Sequence, residues 1–424
     1  MTVAAVAATL AGMGAQGPLK GLTVVEICST IAGPACTRMM ADFGANVIKI
    51  EPPQGDAVRQ MGRHEGDVSL YAAAILRGKQ SVAIDLKHEE GRRLTMEIIR
   101  SADILVENNR PGVMERLGLG YEALSAINPG LVMVRISGYG QDGPYAERPG
   151  YGAICEAVGG VRHMTGDPDR PPARVALATT DYLTATYAAF GAMMAIIDRF
   201  RTGLGQVVDV ALYETAFSQM EAYVPAYERL GYVPTRVGPN LPSMAPNSLY
   251  PTRDGSWMLI AANSNPTFTR LVGAMGQPEL LTDPRFCDIR IRGTPDSMKA
   301  IDALVADWTR TLDAVALEAL LLQAEVPSSR IYTIADIYKD PHYAAREMLV
   351  RVPHPQLGHT TQAGVVPKLS ATPGGIRHTG PDIGADTVAV LQSLGLSNEQ
   401  IATLRHSGTI VGPEPAPAAR DAAQ

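Results

Sequence analysis

Residues 22–27 read LTVVEI, residues 34–43 read PACTRMMADF and residues 46–50 read NVIKI. The first and last runs are short, apolar and β-branched, which is the composition of buried strands. Between them the apolar positions recur at helical spacing and stop at Gly44, a natural helix end. Working outward, strand-like runs follow at residues 81–86, 104–106 and 131–136, alternating with helical patterns such as residues 89–101. Strands that alternate with helices pair in parallel, because a parallel crossover needs a helix's length of chain. The expectation is an α/β fold on a parallel sheet, with ligands at the carboxyl ends of its strands.

Further along, residues 182–200 form the most apolar helical stretch, with Ala, Phe, Met and Ile on nearly every side. All-round apolarity implies burial inside a domain or at an oligomer interface. Residues 236–256 are irregular and rich in Pro, Gly and Asn, a linker or functional loop. Residues 257–262, 266–275 and 300–323 suggest a smaller α+β unit. A strand-like run at 348–352 and the stretch 365–369 precede an expected last helix at 386–394.

Composition narrows the function. The 424 residues are 46% hydrophobic, enough for a sizeable core. Asp and Glu (43) outnumber Lys and Arg (37), a formal charge of −6 that argues against nucleic-acid and anionic-membrane partners but not against a small anionic ligand. Four scattered cysteines, with no C-x-x-C, exclude a disulfide framework and a zinc site of that type, and point to the cytoplasm. No apolar run reaches the ~18 residues of a membrane span. Residues 1–16 superficially resemble a signal peptide but lack its basic start; the first lysine is Lys20.

Three local patterns bear on chemistry. GYGQDG at residues 138–143 fits G-x-G-x-x-G, but Pro144 follows where a helix should open, so a turn-rich loop is the better reading. The eight histidines show no metal-binding spacing, and no metal is expected. Thr179-Thr180-Asp181 precedes the apolar helix. Asp181 there is either an N-cap or a carboxylate presented to a pocket as a nucleophile, and local sequence does not decide between them.

A longer pattern does decide. GLTVVE (21–26), AGP (32–34), ADFGANVIKIEP (41–52) and GD (55–56) are followed in order by KQS (79–81), DLK (85–87), DILVEN (103–108) and RPG (110–112). GYG (138–140), GPY (143–145), GG (159–160), TG (165–166), PP (171–172), Asp181, RTGLGQ (201–206) and DPRF (283–286) complete the series. Over roughly residues 18–400 the chain resembles class III CoA-transferases, the family of formyl-CoA, carnitine and bile-acid CoA-transferases. The resemblance implies a large Rossmann-like parallel-sheet domain from both chain ends, a smaller α+β domain, and an interlocked homodimer. Its expected division is a flexible leader at 1–17, the large CoA-binding domain at 18–225, the small domain at 226–340, a return to the large domain at 341–411 and a disordered tail at 412–424.

The resemblance also implies a mechanism. Asp181 matches the family nucleophile, which passes CoA through an aspartyl-CoA thioester. Ile31, Ala32, Lys87, Asn108, Arg110, Arg116 and Tyr151 match positions that contact CoA, a substrate here, with no separate cofactor. Formyl-CoA transferase carries glutamine where this chain has Ile31, and a glycine-only loop where it has GPNLPSMAPN at 238–247, which argues against formyl transfer. Related α-methylacyl-CoA racemases need a histidine near Gly150, which moves no proton. The pattern looks closest to the branch that moves CoA from succinyl-CoA to dicarboxylates, with Arg174 or Arg236 as candidates for the non-reacting carboxylate. A racemase-like isomerase and a non-catalytic CoA-binding paralogue remain the alternatives.

Overall fold

The computed structural model describes residues 17–414. The expected leader and tail fall outside these residues, except for Gly17 and residues 412–414. Gly17 is no loose end: it is buried, with no room for a Cβ beside the Phe43 carbonyl.

The chain divides into two compact units. The first takes the described residues of Met1–Val161, Val175–Glu221 and His342–Gln424, and the second takes Arg162–Arg174 and Ala222–Pro341. The first is built on six parallel strands, β1 (Thr23–Ile27), β2 (Asn46–Glu51), β3 (Lys79–Ile84), β4 (Ile104–Glu107), β5 (Val132–Ser137) and β6 (Val207–Ala211). Their order is β3-β2-β1-β4-β5-β6, and the short strand Ile410–Val411 pairs antiparallel on the outer edge of β3. This is the doubly wound arrangement in which the direction of strand addition reverses beside β1.

Both faces of the sheet are covered, which is why its strands read as continuous apolar runs rather than alternating ones. Val24, Val47, Val106 and Val134 pack under α1 (Ala32–Asp42). On the other face Val25, Ile48, Leu105 and Met133 pack with Leu94 and Ile98 of α2 (Glu89–Arg100) and with Leu391 and Ile401. Two short helices feed the site, α3 (Gly152–Val158) and α5 (Leu212–Phe217); between them runs the long α4 (Thr179–Thr202).

The apolar stretch at 182–200 is therefore only half buried in the single chain. Ala185, Ala188, Ala192 and Ala195 of α4 face the core, small enough for close approach to α1. Phe190, Met194, Ile197 and Phe200 lie on the opposite side, more than half exposed.

The second unit holds an antiparallel sheet ordered β9-β8-β7, from β7 (Asn247–Pro251), β8 (Trp257–Ala261) and β9 (Ser328–Arg330). Tyr250, Met258, Phe268, Phe286, Ile301 and Leu317 fill its core. Segment Arg162–Arg174, placed inside the large domain by the sequence, belongs to this second unit. Arg236 ties it there by donating to the carbonyls of His163 and Asp167 at 3.3 and 3.1 Å.

Three other elements depart from the sequence reading. Residues 300–323 are two helices, Pro295–Thr309 and Ala314–Gln323, separated by a turn at 310–313. The strand-like run at 348–352 is a strand, Leu349–His354, but it is paired in a hairpin with Gly358–Ala363, an arm the sequence reading lacked. The last helix is Asn398–His406 rather than 386–394; Gly395, at φ 87°, separates it from Thr387–Ser393, and a Ser397–Gln400 capping box starts it.

Candidate active site

The carboxyl ends of β1, β4 and β5 enclose a cavity of about 200 Å³ at the point where strand order reverses. Open α/β sheets bind ligands there because the loops on either side of the reversal diverge and leave a crevice. Its wall includes Thr30 and Ala32 after β1, Asn108 and Arg110 after β4, Gly138 after β5, and Asp181.

The loop after β1 is held in a conformation its residues disfavour. Thr30 sits at φ 68°, a left-handed backbone that a β-branched residue seldom adopts. Two groups clamp it. The Asn108 side chain brackets Ser29, accepting from its N–H at 2.9 Å and donating to its carbonyl at 2.8 Å. Asp56 Oδ1 accepts from the Thr30 N–H at 3.0 Å, from Ser29 Oγ at 3.2 Å and from the Val58 N–H at 2.9 Å.

Asp56 is anchored in turn by a buried charge network. Lys49 Nζ lies 2.7 Å from Asp56 Oδ2 and 2.8 Å from Glu26 Oε1, and donates to the Cys28 carbonyl at 2.8 Å. Lys79 Nζ pairs with Glu26 Oε2 at 2.7 Å and donates to the Pro34 carbonyl at 2.8 Å, at the start of α1. Burial alone would push the Glu26 carboxyl up, but the two lysines prevail and hold it down at about 2. Burial pulls the Lys49 ammonium the other way, and the Glu26, Asp56 and Glu51 charges override it, raising its pKa. The network fixes both the turn after β1 and the entry of α1.

Asp181 is the third residue of α4, not its N-cap, which is Ala178. It still lies in the first turn, where the helix dipole favours an ionised carboxylate. Its Oδ2 rests against the first residue of α3, Gly152: any Cβ there would collide with that oxygen. Burial pushes the nearby Cys155 thiol up to about 11, with the Asp181 charge adding to the effect. The thiol donates to the Gly138 carbonyl at 3.3 Å. Gly150, whose added Cβ would lie 2.7 Å from the Gly138 Cα, has no room for a side chain. The loop between these two glycines is turn-rich and opens no helix at Gly143.

The residues singled out in the sequence distribute unevenly. Ala32, Asn108, Arg110, Tyr151 and Asp181 line the one cavity. Ile31 is the N-cap residue of α1, and its side chain packs on the core under the sheet. Arg116 borders a neighbouring cavity of about 420 Å³ that shares Pro111 and Ala146 with the first. Lys87 is exposed beyond β3, its N–H bonded to Asp85 at 2.9 Å, and lines neither cavity. Arg174 and Arg236 belong to the second unit. Sequence reasoning passed over Arg148, which lines the Asp181 cavity, and the Glu26–Lys49–Asp56–Lys79 network. The signal for the network was present as charged residues inside apolar strand runs. Among the described residues no cluster of His, Cys, Asp and Glu is placed to hold a metal.

Comparison with known proteins agrees with this geometry. The model of CoA-transferase family III matches residues 19–387. The succinyl-CoA–D-citramalate CoA-transferase of Chloroflexus aurantiacus is 45% identical over 391 residues, covering 92% of this chain and 97% of that protein. The succinyl-CoA:mesaconate CoA-transferase of Haloarcula hispanica is 36% identical over 373 residues, covering 85% and 93%. The crystal structure of a CAIB/BAIF family protein from Brucella suis superposes with a TM-score of 0.79 at 33% identity, covering 89% of this chain and all of that one. With a reversal-point cavity holding a first-turn carboxylate, and a family match across most of its length, the chain belongs to CoA-transferase family III and is a class III CoA-transferase.

Proposed function

We propose that the enzyme moves CoA from succinyl-CoA to a dicarboxylate acceptor, with Asp181 as the covalent relay. An Asp181 oxygen attacks the thioester carbonyl of succinyl-CoA, forming a succinyl–aspartyl anhydride and expelling CoA thiolate. The thiolate attacks the aspartyl carbonyl, giving an aspartyl-CoA thioester and free succinate. The acceptor carboxylate opens that thioester to a second anhydride, and the returning thiolate takes the acceptor acyl group and frees Asp181. Every step exchanges one acyl bond for another, the overall change replaces one thioester with another, and no proton is gained or lost. Ala32, Asn108, Arg110 and Tyr151 border the chamber where the thioester would react, with Ile31 behind it and Lys87 and Arg116 further out for the phosphates.

The observation that carries this reading is Asp181 in the cavity, in the first turn of α4. The adjacent Cys155 stays a thiol at neutral pH, and among the described residues no histidine lines the cavity to activate a hydroxyl. The succinyl donor and the dicarboxylate acceptor are taken from the named activities of the relatives. A racemase-like reaction fits less well, because the Gly138 backbone occupies the space a proton-moving side chain at position 150 would need.

Mass spectrometry after mixing the protein with succinyl-CoA alone is the test. A hydroxylamine-sensitive CoA adduct on the peptide carrying Asp181, absent from Asp181→Asn, is expected. No adduct would favour the racemase or the silent paralogue. The same reading includes a homodimer in the cytoplasm, with CoA thioesters as substrates and no further cofactor.

A further inference from the structure

Two arginines, Arg110 and Arg148, line the cavity that holds Asp181, and among the described residues Asp181 is the only acidic residue on that wall. Neither arginine has a carboxylate within 4 Å among the described residues. Arg135 on β5, by contrast, is neutralised by Glu107 at 2.9 Å and Glu115 at 2.8 Å. The cavity therefore carries a net positive wall once Asp181 has been acylated and its charge consumed.

Arg148 is the better held of the two. Its guanidinium lies over the Tyr145 ring at 3.4 Å, and the Arg148 backbone N–H donates to the Tyr145 carbonyl at 2.9 Å. Tyr145 stands edge-on to the buried Tyr139 at 5.9 Å, and Tyr139 lies 5.9 Å from Tyr213. A cation on an aromatic face keeps the edge of its planar fork free for a carboxylate. Arg148 is also four residues from Gly152, whose backbone meets Asp181 Oδ2. The chain between them spans at most ~14 Å, within reach of one small substrate and a long side chain.

We infer that Arg148 is a specificity-determining residue that binds the non-reacting carboxylate of the acyl group, on the succinyl donor and on the dicarboxylate acceptor in turn. Both acids pass through the same chamber, so one guanidinium serves both half-reactions. This rests on the proposed dicarboxylate reading, and moves the role considered for Arg174 or Arg236 into the unit that contains Asp181.

The experiment is isotope exchange catalysed by the full-length enzyme, between succinyl-CoA and labelled succinate, and between butyryl-CoA and labelled butyrate. The two acids differ materially only in the distal carboxylate. Wild-type kcat/KM should favour succinate by about ten- to a hundredfold, the worth of one charge-assisted hydrogen bond. In Arg148→Gln that ratio should fall close to one, and Arg148→Lys, which keeps the charge without the fork, should lie between. An unchanged ratio in Arg148→Gln overturns the inference, whether both exchanges persist or both fall together, since a loss common to both acids means that Arg148 serves CoA or the fold. A wild-type enzyme that does not prefer succinate removes the dicarboxylate reading itself, and the inference with it.

Discussion

Gly152 and Asp181 constrain each other more tightly than either position reveals alone. A methyl group at 152 would occupy the place of Asp181 Oδ2, so the carboxylate must rotate away or α3 must retreat. A displacement of about 1 Å at a reacting group can cost ~10²-fold in rate. Gly152→Ala is therefore expected to lower kcat by at least tenfold and to slow CoA-adduct formation equally, while the melting temperature changes by only a few degrees; wild-type kcat would show that Asp181 does not use this position. In the sequence Asp181 was indistinguishable from a helix cap, and the structure explains why. It occupies a first-turn position that capping residues also favour, and the partner that gives it direction lies 29 residues earlier. Glu26 is a second case. It is fully buried against Lys49 and Lys79, whose charges hold its carboxyl at about 2, well below the usual carboxylate range. A depressed acid stabilises the fold above its unfolded pKa and loses that contribution as pH falls through its folded one. The Glu26 contribution, roughly 3 kcal/mol from the shift, should thus be complete above pH ~5 and fade between pH 4.5 and about 2. Removing the charge in Glu26→Gln leaves two buried ammonium groups short of a partner, at a cost of about 3–5 kcal/mol. Urea titration at pH 7 and pH 4 checks both: the difference between wild type and Glu26→Gln should be large at neutral pH and smaller at pH 4.

At the scale of elements, what the sequence revealed depended on how local the cause was. The strands β1, β2, β4 and β5 and the helix α1 were legible because a strand buried on both faces must be apolar along its length. The Gly358–Ala363 arm of the hairpin was not, since GHTTQA carries no apolar run and is paired through its backbone with Leu349–His354. The Ser397–Gln400 capping box was a readable start signal that lay hidden behind the more apolar run before it. The loop after β1 belongs to the illegible class. Its left-handed Thr30 is imposed by Asp56, from beyond β2, and by Asn108, from beyond β4. That arrangement predicts a particular kind of rescue. Asp56→Ala removes the acceptor for three donors to Oδ1 and the ion-pair partner of buried Lys49, and should lower kcat about ten- to a hundredfold, with Asp56→Asn, which keeps an oxygen there, retaining more. Adding Thr30→Gly to Asp56→Ala should recover part of the loss, because glycine adopts positive φ without penalty. A merely destabilising Asp56→Ala would gain nothing from a second, more flexible residue. Steady-state kcat for the three variants, read beside their melting temperatures, separates the two.

For the whole molecule, α4 poses the remaining question. Its alanine face is consumed by the core of the first unit, yet the opposite face presents Phe190 at 61% exposure, Ile197 at 69% and Phe200 at 75%. Leu204, 60% exposed, and Phe217, 50% exposed, add further apolar surface within the same unit. A single exposed leucine is ordinary, but a row of large apolar side chains repeating every three or four residues is the surface of an interface. Burying such side chains is worth ~25 cal/mol per Å², so several together supply enough to hold two chains. The occupant proposed for this face is a second copy of the chain, in the interlocked arrangement that the family resemblance implies. Interlocked chains cannot separate without unfolding, which distinguishes them from an ordinary dimer. Sedimentation should therefore find twice the mass of one chain at every concentration, down to the nanomolar range, with no exchange when labelled and unlabelled protein are mixed for hours. Refolding the mixture together from urea should produce hybrids. Ile197→Asp with Phe200→Asp places two charges on the row and should yield monomers or poorly soluble protein, whereas the exposed pair Arg93→Ala and Arg100→Ala on α2 should leave the dimer intact. A wild-type protein that sediments as a monomer would leave the α4 row without its proposed cover, and subunit exchange in hours would show a dimer whose chains are not interlocked.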